Sequence, residues 1–433
     1  ITGPALGYVL TKYGRHADGR PIRIALIERR GGLAQVASGH TGNAQSLHRG
    51  DIETNFPIEK ARAVRHAADL VAGFLDRHLD QGIFVPTHKM VIGVGAAEVA
   101  LLRTRFAEFA PEYPDLQLLE RADIAKVEPN VIKGRDPAEP IIALFSAHGY
   151  IVNYGRLAET FVREAQHAPL PLETFYRTEI QTIVRDDERY VIRTDRGEFR
   201  ARTVVISAGG HSILFAKALG LAQDLEILPV AGSFYRSRIR RCLNGKVYTV
   251  QIDRIPFAAP HGDPEVTNPD ETRFGPTAKM IPLLERHRYA TFFDFLRSIV
   301  RRPRGLLAYF AILRDWTILK YAVKNLFVDL PIIGKLIFLR DAQKIVPMMR
   351  YRDLEFAKGV GGIRPQIVDT RTMEMQLGEG RIVGDRFIAN VTPSPGASKC
   401  LGAAEHDAEQ VAEWLGATFD VERFRRDHEP LTR

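Results

Sequence analysis

The first 28 residues carry the pattern that most constrains the fold of this chain. Gly3 opens GPALGYVL, a stretch with apolar side chains at helical spacing, and the next apolar run, PIRIALIE, ends at Glu28. A glycine turn, a helix and a strand that ends in an acid make up the second half of a dinucleotide-binding βαβ unit. In such a unit the last glycine lets the helix pack closely against the sheet, and the acid accepts hydrogen bonds from ribose hydroxyls. The pattern therefore predicts a Rossmann-like α/β domain.

Three later segments have the small residues and turns that such a domain needs beside a cofactor. The strand-like run TVVISAGG ends at Ala208 and Gly209, whose small size lets the backbone approach a ligand. GVGGIRPQIVD contains Gly362, and FIANVTPSPGASKC has a strand, a Pro/Gly turn and a helix that begins near Ser398. Backbone N–H groups at that helix start offer a second site for an anion or a carbonyl.

Composition indicates an ordinary globular protein. The 433 residues are 45% hydrophobic, which is enough to bury the cores of two domains. Cys242 and Cys400 are the only cysteines and form no CxxC or Cys/His cluster, so we predict neither a disulfide framework nor a metal site. The chain shows no signal-peptide pattern and no apolar run of the ~18 residues that a spanning helix needs. We expect a cytoplasmic protein.

The net charge of +8 is concentrated in one apolar segment. Residues 286–344 contain twelve Lys or Arg and four Asp, an excess of eight that equals the net charge of the whole chain. The segment is also rich in Phe, Leu, Ile and Trp, a composition typical of helices in a lipid interface with cations toward anionic head groups. The alternative is a set of core helices with solvated basic faces. No helix-turn-helix, RNP or zinc-finger pattern accompanies the charge, so we expect no nucleic-acid partner.

Short motifs along nearly the whole chain resemble those of FAD-dependent oxidoreductases of the D-amino-acid oxidase class. In order, they are ITG, IERR, SGHTGNAQSLH, GYIVNYGRL, VVISAGG, GIRPQ and SPGAS. Within that class, the C-terminal part is most similar to malate:quinone oxidoreductases, with L-2-hydroxyglutarate dehydrogenases close behind. HGDPEVTNPDETRFGPTA at 261–278 has an FGP motif that both groups share, and TPSPGASKCL at 392–401 is closer to the malate enzymes. The resemblance implies FAD as cofactor, a 2-hydroxy acid as substrate and a membrane quinone as acceptor.

Two departures from the family pattern affect these expectations. Malate:quinone oxidoreductases typically carry N-A-G-T-G-H followed by E-L-N-Y, whereas this chain has NAQSLH at 43–48 and ETNF at 53–56. Larger residues thus replace small ones beside the flavin, which leaves the identity of the substrate open. The first strand and the first two glycines of the FAD fingerprint are also absent, so we expect the chain to be a fragment that retains FAD weakly.

Two histidines are candidates for the catalytic base. Oxidation of a 2-hydroxy acid needs a base for the hydroxyl proton, the flavin N5 as hydride acceptor and cations for the carboxylates. Histidine is the natural base near neutral pH. His261, at a position that resembles a family histidine, is the first candidate, and His48, which closes NAQSLH, is the second. For either residue, the alternative is a histidine that binds a loop carbonyl.

Arg364 in GIRPQ is the first candidate to bind a substrate carboxylate, because an arginine fork matches a carboxylate and Gly362 allows close approach. The alternative is that Arg364 pairs with an acid such as Asp369 and braces a loop. The expected catalytic residues are thus His261, Arg364 and His48, and the expected substrate-binding residues are Gln45, Arg273 and Thr277. The residues expected to bind FAD are Gly3, Glu28, Arg29, Ser38, Gly42, Asn43, Ile180, Ala208, Gly209, Gly362, Gly396, Ala397 and Ser398.

The expected architecture is a Rossmann-like FAD-binding domain interleaved with an α+β substrate domain. AGSFYRS and KVYTVQIDRIPF predict an antiparallel sheet in the substrate domain, with the basic helices inserted after it. The FAD-binding domain is expected to comprise 1–60, 140–215 and 355–433, and the substrate domain 61–139 and 216–354.

Three functions remain open at this point. The first is oxidation of L-malate at the inner face of the cell membrane. The second is the same chemistry on L-2-hydroxyglutarate or another 2-hydroxy acid, with quinone or oxygen as the acceptor. The third is a non-enzymatic flavin fold that serves as a membrane-attached binding module, which the missing glycines and residues 45–47 suggest. A bound, reducible flavin distinguishes the first two from the third.

Overall fold

Helices and strands form a mixed α/β protein in the computed structural model, which describes residues 1–251, 259–299, 303–327, 330, 332–376, 380–393 and 395–431. The helices are α1 Thr2–Tyr13, α2 Ile58–Asp76, α3 Ala96–Phe109, α4 Arg121–Val127, α5 Pro129–Ile132, α6 Tyr154–Gln166, α7 Ser212–Ala218, α8 Thr291–Ile299, α9 Pro303–Leu313, α10 Trp316–Leu326, α11 Ile333–Ile345, α12 Cys400–Leu415 and α13 Val421–Asp427. The strands are β1 Gly14–His16, β2 Ala25–Glu28, β3 Phe84–Val94, β4 Gln117–Glu120, β5 Ile141–Val152, β6 Glu173–Tyr176, β7 Ile180–Asp186, β8 Arg189–Thr194, β9 Gly197–Ala201, β10 Val204–Ile206, β11 Leu225–Ala231, β12 Tyr235–Ser237, β13 Lys246–Thr249, β14 His261–Glu265, β15 Asn268–Gly275, β16 Lys279–Met280, β17 Leu354–Phe356, β18 Ile363–Asp369, β19 Glu374–Gln376, β20 Gly380–Gly384, β21 Phe387–Val391 and β22 Ala417–Phe419.

The N-terminal helix and strand follow the pattern predicted from the sequence. α1 packs against α6 and α12 and buries apolar residues such as Ala5 and Val9 in a shared core. β2 ends at Glu28 and pairs in parallel with β6, while β10 pairs in parallel with β21. Ligands of open α/β sheets bind beyond the carboxyl ends of the strands. Glu28 and the residues that follow β10 therefore lie at the edge where a cofactor is expected.

The predicted antiparallel sheet is present and has eight strands. Their order is β17-β12-β15-β14-β13-β3-β5-β4, and the neighbours are antiparallel except for β13 and β3. AGSFYRS and KVYTVQIDRIPF contribute β12 and β13, and residues 252–257 of the second run lie outside the described residues. The sheet also takes in β5, from the part of the sequence expected to bind FAD. The domain boundaries given above remain a prediction.

A four-stranded sheet supports both the candidate site and the basic helices. Its order is β16-β11-β18-β19, and β11 is antiparallel to β18, which places Arg364 opposite Val230. The basic helices α8 to α11 follow β16, as predicted. Ala308 and Ile312 of α9 pack on this sheet in one apolar cluster. The inserted helices are thus anchored on the sheet that carries Arg364.

Candidate active site

A cavity of about 1230 Å³ connects the carboxyl ends of β2 and β10 to the loop at 42–48. Glu28, Arg29, His48 and Arg364 all line this cavity. Cavities for drug-sized ligands measure roughly 300–1,000 Å³, so this cavity accommodates a longer molecule.

The part of the cavity beside the end of β2 is polar, and the segment before α8 contacts it there. Glu28 Oε1 accepts a hydrogen bond from the backbone N–H of Arg30 at 2.8 Å, which fixes its carboxylate at the end of the strand. Arg29 and Arg30 both form ion pairs with the buried Glu285, which also lines the cavity. On the same side, His211 Nε2 lies 3.3 Å from Asp294 Oδ2 of α8, and burial lowers the pKa of this histidine. Arg29 is therefore committed to a protein carboxylate.

Close backbone approaches shape the middle of the cavity. An added Cβ at Gly362 would lie 2.1 Å from the carbonyl oxygen of Gly42, so these two loops pack as they do because residue 362 has no side chain. Gly209 has a φ of +58°, which favours glycine. A Cβ at Gly3 would meet Leu26 and Ser207 at an ordinary 3.6 Å. The close packing predicted for Gly3 is therefore not required by its protein neighbours.

His48, which also lines the cavity, is held by its backbone and by its ring. Its backbone N–H donates to Ser398 Oγ at 3.0 Å, and Ser398 Oγ in turn donates to the carbonyl oxygen of Ser46 at 3.1 Å. Its ring Nδ1 lies 2.6 Å from Glu53 Oε1. The side chains of His48 and Glu53 are 17% and 6% exposed. This arrangement presents a positioned histidine at the cavity wall.

Arg364, on β18, also lines the cavity. Its Nη2 is 3.7 Å from the position of a Cβ on Gly232, another wall residue. Asp369, the acid considered above as an alternative partner, instead accepts hydrogen bonds from Arg371 at 2.9 and 3.2 Å. The lining of the cavity thus combines a carboxylate beside small residues with a histidine and an arginine, as required for a nucleotide cofactor and an acidic substrate.

The model of a known family matches almost the entire chain. Residues 1–410 match the family described as FAD dependent oxidoreductase. The chain belongs to the FAD-dependent oxidoreductases. Two relatives in this family match over nearly their full lengths. The "Probable malate:quinone oxidoreductase" of Campylobacter jejuni is 38% identical over 98% of this chain and 96% of its own, and the "Malate:quinone oxidoreductase" of Helicobacter pylori is 38% identical over 99% and 96%.

Solved structures of FAD-dependent oxidoreductases share the fold. Glycine oxidase from Geobacillus kaustophilus superposes with a TM-score of 0.64 at 18% identity, over 98% of this chain and 95% of its own. L-alpha-glycerophosphate oxidase from Mycoplasma pneumoniae, solved with FAD bound, gives 0.62 at 15% identity, over 95% and 92%. At these identities the likeness shows the fold alone.

FAD is the cofactor of this family, and the cavity fits it. The cavity supplies a carboxylate at the end of β2, small residues past β10 and a glycine contact between residues 42 and 362. All thirteen residues predicted to bind FAD line this one cavity, from Gly3 and Glu28 to Ser398. Ser394 of the SPGAS motif lies outside the described residues. The short 3₁₀ turn Gly396–Lys399 precedes α12, so the helix itself starts two residues after the predicted Ser398.

Three residues predicted to contact substrate are not among the residues that line the cavity, and their roles stay predictions. His261 is buried in β14, 3.3 Å from Asp263 Oδ1, and burial lowers its pKa. Arg273 Nη2 donates to Asp263 Oδ2 at 3.0 Å. Thr277 Oγ1 accepts from the backbone N–H of Ser233 at 3.0 Å. His261 and Arg273 belong to the paired strands β14 and β15, and Thr277 follows β15.

Gln45 lines the cavity, but its amide bridges two protein segments. Its Nε2 donates to the carbonyl oxygen of His40 at 2.8 Å and to Glu265 Oε1 at 2.7 Å. Its Oε1 accepts from the backbone N–H of Val266 at 3.0 Å, and its φ is +55°. Gln45 therefore ties the loop at 42–48 to the β14–β15 hairpin, which differs from the predicted role in substrate binding.

Several residues that support the loop at 42–48 were not predicted from the sequence. Glu53 was noted within ETNF only as part of a motif, although its spacing of five from His48 was a usable signal. Tyr154 OH donates to the carbonyl oxygen of Ser46 at 2.7 Å, and Tyr248 OH and Ser46 Oγ are 2.6 Å apart. Lys246 Nζ donates to the carbonyl oxygen of Ala44 at 3.2 Å, and burial lowers its pKa to about 8. No local pattern links these residues, because they meet only in the folded protein.

Proposed function

We propose that this chain oxidises L-malate to oxaloacetate and passes the electrons to a membrane quinone. The observation that carries the proposal is full-length similarity at 38% identity to enzymes named malate:quinone oxidoreductase. The cavity supports it because its lining includes a histidine and an arginine together with the features expected around FAD. The names of these relatives do not favour L-2-hydroxyglutarate or a non-enzymatic role.

Arg364 is proposed to hold the carboxylate next to the reacting carbon. A guanidinium presents parallel N–H donors that match the two oxygens of a carboxylate, which fixes the substrate in orientation as well as in position. Arg364 projects from β18, whose pairing with β11 makes it a rigid support. Orientation of this kind lowers the barrier because less motion is lost when the transition state forms.

His48 is proposed to take the proton of the substrate hydroxyl. It lines the same cavity as Arg364, and its hydrogen bonds to Ser398 and Glu53 hold its backbone and its ring. When FAD is bound, it supplies the two-electron acceptor for the hydride that leaves C2 of the acid. Removal of the hydroxyl proton by a positioned base makes this departure easier.

The residues proposed to hold FAD follow the cavity. Glu28 would accept hydrogen bonds from the ribose hydroxyls, and the small residues Ala208 and Gly209 would admit the cofactor beside β10. Backbone N–H groups of the 3₁₀ turn that contains Gly396 would bind a flavin carbonyl or another negative group. Arg29 contributes indirectly, through its ion pair with Glu285.

The test is an anaerobic reduction of the flavoprotein. L-malate is expected to bleach the visible flavin band rapidly, and L-2-hydroxyglutarate to do so much more slowly. Addition of a short-chain quinone should then restore the band. Bleaching by L-2-hydroxyglutarate alone would move the proposal to that substrate, and no bleaching of a bound flavin by either acid would reject it.

The quinone acceptor requires access to a bilayer, and the inserted helices offer an apolar surface for it. Among the described residues, no helix is both long and apolar enough to cross a membrane. On α9, Leu307 and Phe310 are 56% and 67% exposed, while Ala308 and Ile312 pack inward. We call the exposed large apolar side chains of this region the apolar surface; they are Tyr289, Phe292, Phe293, Leu296, Leu306, Leu307, Phe310, Trp316, Val323, Phe327, Leu330, Ile332, Ile333 and Leu336.

We propose that the apolar surface docks on an anionic bilayer, at the inner face of the cell membrane. Apolar exposure on this scale is unusual in a soluble monomer and marks interaction sites. The excess of eight positive charges in residues 286–344 complements anionic head groups. This charge excess is complementary to an anionic lipid surface, whereas a purely apolar contact with a protein partner would not require it.

Vesicle sedimentation tests the docking. The protein should bind vesicles that contain anionic phosphatidylglycerol more tightly than vesicles of phosphatidylcholine alone. The double variant Phe310→Ser/Trp316→Ser should lose most of this binding and keep malate-dependent flavin reduction. Leu101→Ser, at a 45% exposed leucine on α3, is the matched control and should bind like the wild type. No binding by the wild-type protein would end the proposal.

A further inference from the structure

We infer that Glu53 is a positioning residue for His48: its carboxylate binds the Nδ1–H group, so that Nε2 is the nitrogen that accepts the proton of the substrate hydroxyl. The inference rests on the proposed function, because it assigns a role within the same site. It concerns a residue that does not itself line the cavity.

The geometry of the pair fixes the tautomer of His48. Nδ1 lies 2.6 Å from Glu53 Oε1, which is the distance of a charge-assisted hydrogen bond. An ionised carboxylate only accepts hydrogen bonds, so Nδ1 must carry the proton. A neutral imidazole has one N–H group, and Nε2 therefore has the lone pair. Without an acceptor at Nδ1, the ring would exchange between two tautomers, of which only one is a base at Nε2.

The surroundings hold Glu53 in place. Its backbone carbonyl accepts from Arg105 Nη2 at 2.8 Å and from the backbone N–H of Phe56 at 3.2 Å. Its second carboxylate oxygen, Oε2, is buried and has no hydrogen-bond partner among the described residues. Burial of a carboxylate with so few partners is unfavourable unless a positive charge forms beside it.

Proton transfer to His48 would supply that charge. When Nε2 accepts the hydroxyl proton, the ring becomes an imidazolium, and its attraction to Glu53 strengthens. The carboxylate therefore stabilises the product of proton transfer more than the resting pair, which is the condition for catalysis. The proton balance is closed: the O–H bond of the substrate breaks, an N–H bond forms at Nε2, and Glu53 remains ionised throughout.

The neighbouring groups do not replace Glu53. The ring of Tyr248 is 6.2 Å from the ring of His48, and its hydroxyl is bound to Ser46 Oγ. His261 packs against Tyr248 with the two rings tilted by 34°, at 4.6 Å between ring centroids. Burial lowers the pKa of His261, so it is neutral near pH 7. The Arg105 guanidinium attracts the Glu53 carboxylate but donates to the backbone carbonyls of Glu53 and Phe56, and so does not replace the bond to His48.

The first experiment measures the tautomer directly, without any substrate. Protein labelled with ¹⁵N-histidine is examined by NMR, and the signal of His48 is identified by its loss in His48→Asn. We expect the Nδ1–H tautomer in the wild type. In Glu53→Gln, whose amide can both donate and accept, we expect a mixture of tautomers or the Nε2–H form.

The second experiment separates binding from chemistry by stopped-flow reduction with L-malate. The rate constant for flavin reduction should fall by about 10²–10⁴-fold in Glu53→Gln. The dissociation constant of malate should change by less than about threefold, because Glu53 does not line the cavity. Glu53→Asp keeps the carboxylate and should recover part of the rate. It also provides the comparison if Glu53→Gln fails to fold.

The matched control is a second His–Glu pair outside the cavity lining. His78 Nε2 and Glu164 Oε1 are 3.6 Å apart, and Glu164→Gln should leave the rate of reduction unchanged. The inference is overturned if Glu53→Gln reduces within about twofold of the wild type or keeps the Nδ1–H tautomer. If wild-type flavin is not reduced by malate, the proposed function fails, while the NMR experiment still decides whether Glu53 sets the tautomer.

Discussion

Arg30 Nη2 lies 2.7 Å from Glu285 Oε2, and this contact ties the segment before α8 to the nucleotide end of the cavity. Arg29 pairs with the same carboxylate, whose side chain is only 5% exposed. The inserted helices therefore begin at the wall of the proposed FAD site. We therefore expect a substitution in this ion-pair cluster to weaken the binding of FAD.

Glu285→Ala is expected to release FAD faster, by about tenfold, because removal of the shared partner leaves Arg29 and Arg30 without their buried carboxylate. Flavin fluorescence after dilution into an excess of an apoprotein that binds free FAD measures the release rate. Glu179→Gln is the control, because this carboxylate is 54% exposed and contacts Arg29 only at 3.6 Å. Equal release rates in Glu285→Ala and the wild type would contradict a role of the Glu285 ion pairs in holding FAD.

Arg364→Ala is expected to lose malate-dependent flavin reduction by at least about 10²-fold in kcat/KM while it keeps FAD. The loss follows from the missing bidentate contact to the carboxylate, and Arg364→Lys should recover little of it. Arg371→Ala, on the turn after β18 and 66% exposed, is the matched control. Unchanged kinetics in Arg364→Ala would remove this residue from the site.

Gly362→Ala and Gly3→Ala are expected to differ sharply in stability. The new methyl group at 362 would lie 2.1 Å from the carbonyl oxygen of Gly42, so the loops must separate, at a cost of about 1–3 kcal/mol. The methyl group at residue 3 meets only ordinary contacts at 3.6 Å. Urea unfolding of the two variants measures this difference, and equal midpoints would contradict the packing described between residues 42 and 362.

The stability of the protein is expected to decrease as the pH falls from about 6.5 to 4, because His428 is buried as a neutral ring. Its Nδ1–H donates to the carbonyl oxygen of Phe424 at 2.7 Å, and Nε2 accepts from Tyr8 OH at 3.2 Å. Burial lowers its pKa to about 4 from an unfolded value near 6.5. The unfolded state thus binds the proton more readily, and the stability present above pH 6.5 declines by about 3 kcal/mol toward pH 4.

Urea unfolding across this pH range measures the effect, with His428→Gln as the test variant. The variant should be less stable at pH 7 and should show a shallower pH dependence. His66→Gln is the control, because His66 is 57% exposed. An identical slope in His428→Gln and the wild type would assign the pH dependence to other groups.

Local patterns in the sequence were sufficient to predict the elements around the cofactor. Periodic apolar residues and glycines gave α1, β2 and the turn after β10, and the residues placed there line one cavity. His48 lines the cavity and His261 does not, and the choice between the two histidines as the base stays a prediction. A motif resemblance reports which residues recur, whereas the packing of His261 against Tyr248 is seen only in the folded protein. Glu53 was missed although it lies only five residues after His48, because a single hydrogen bond between side chains leaves no periodic pattern in the sequence.

The bridge from Gln45 to Glu265 and Val266 has a consequence for redesign and for natural drift at this site. Restoration of the small family residues at 45–47 would remove the amide and leave the carboxylate of Glu265 without the donor at 2.7 Å. Positions 45 and 265 are therefore expected to change together, although 220 residues separate them. A library that varies the loop alone would sample mostly combinations in which the carboxylate of Glu265 lacks a donor. A library that varies both positions together would keep the loop at 42–48 bonded to the β14–β15 hairpin.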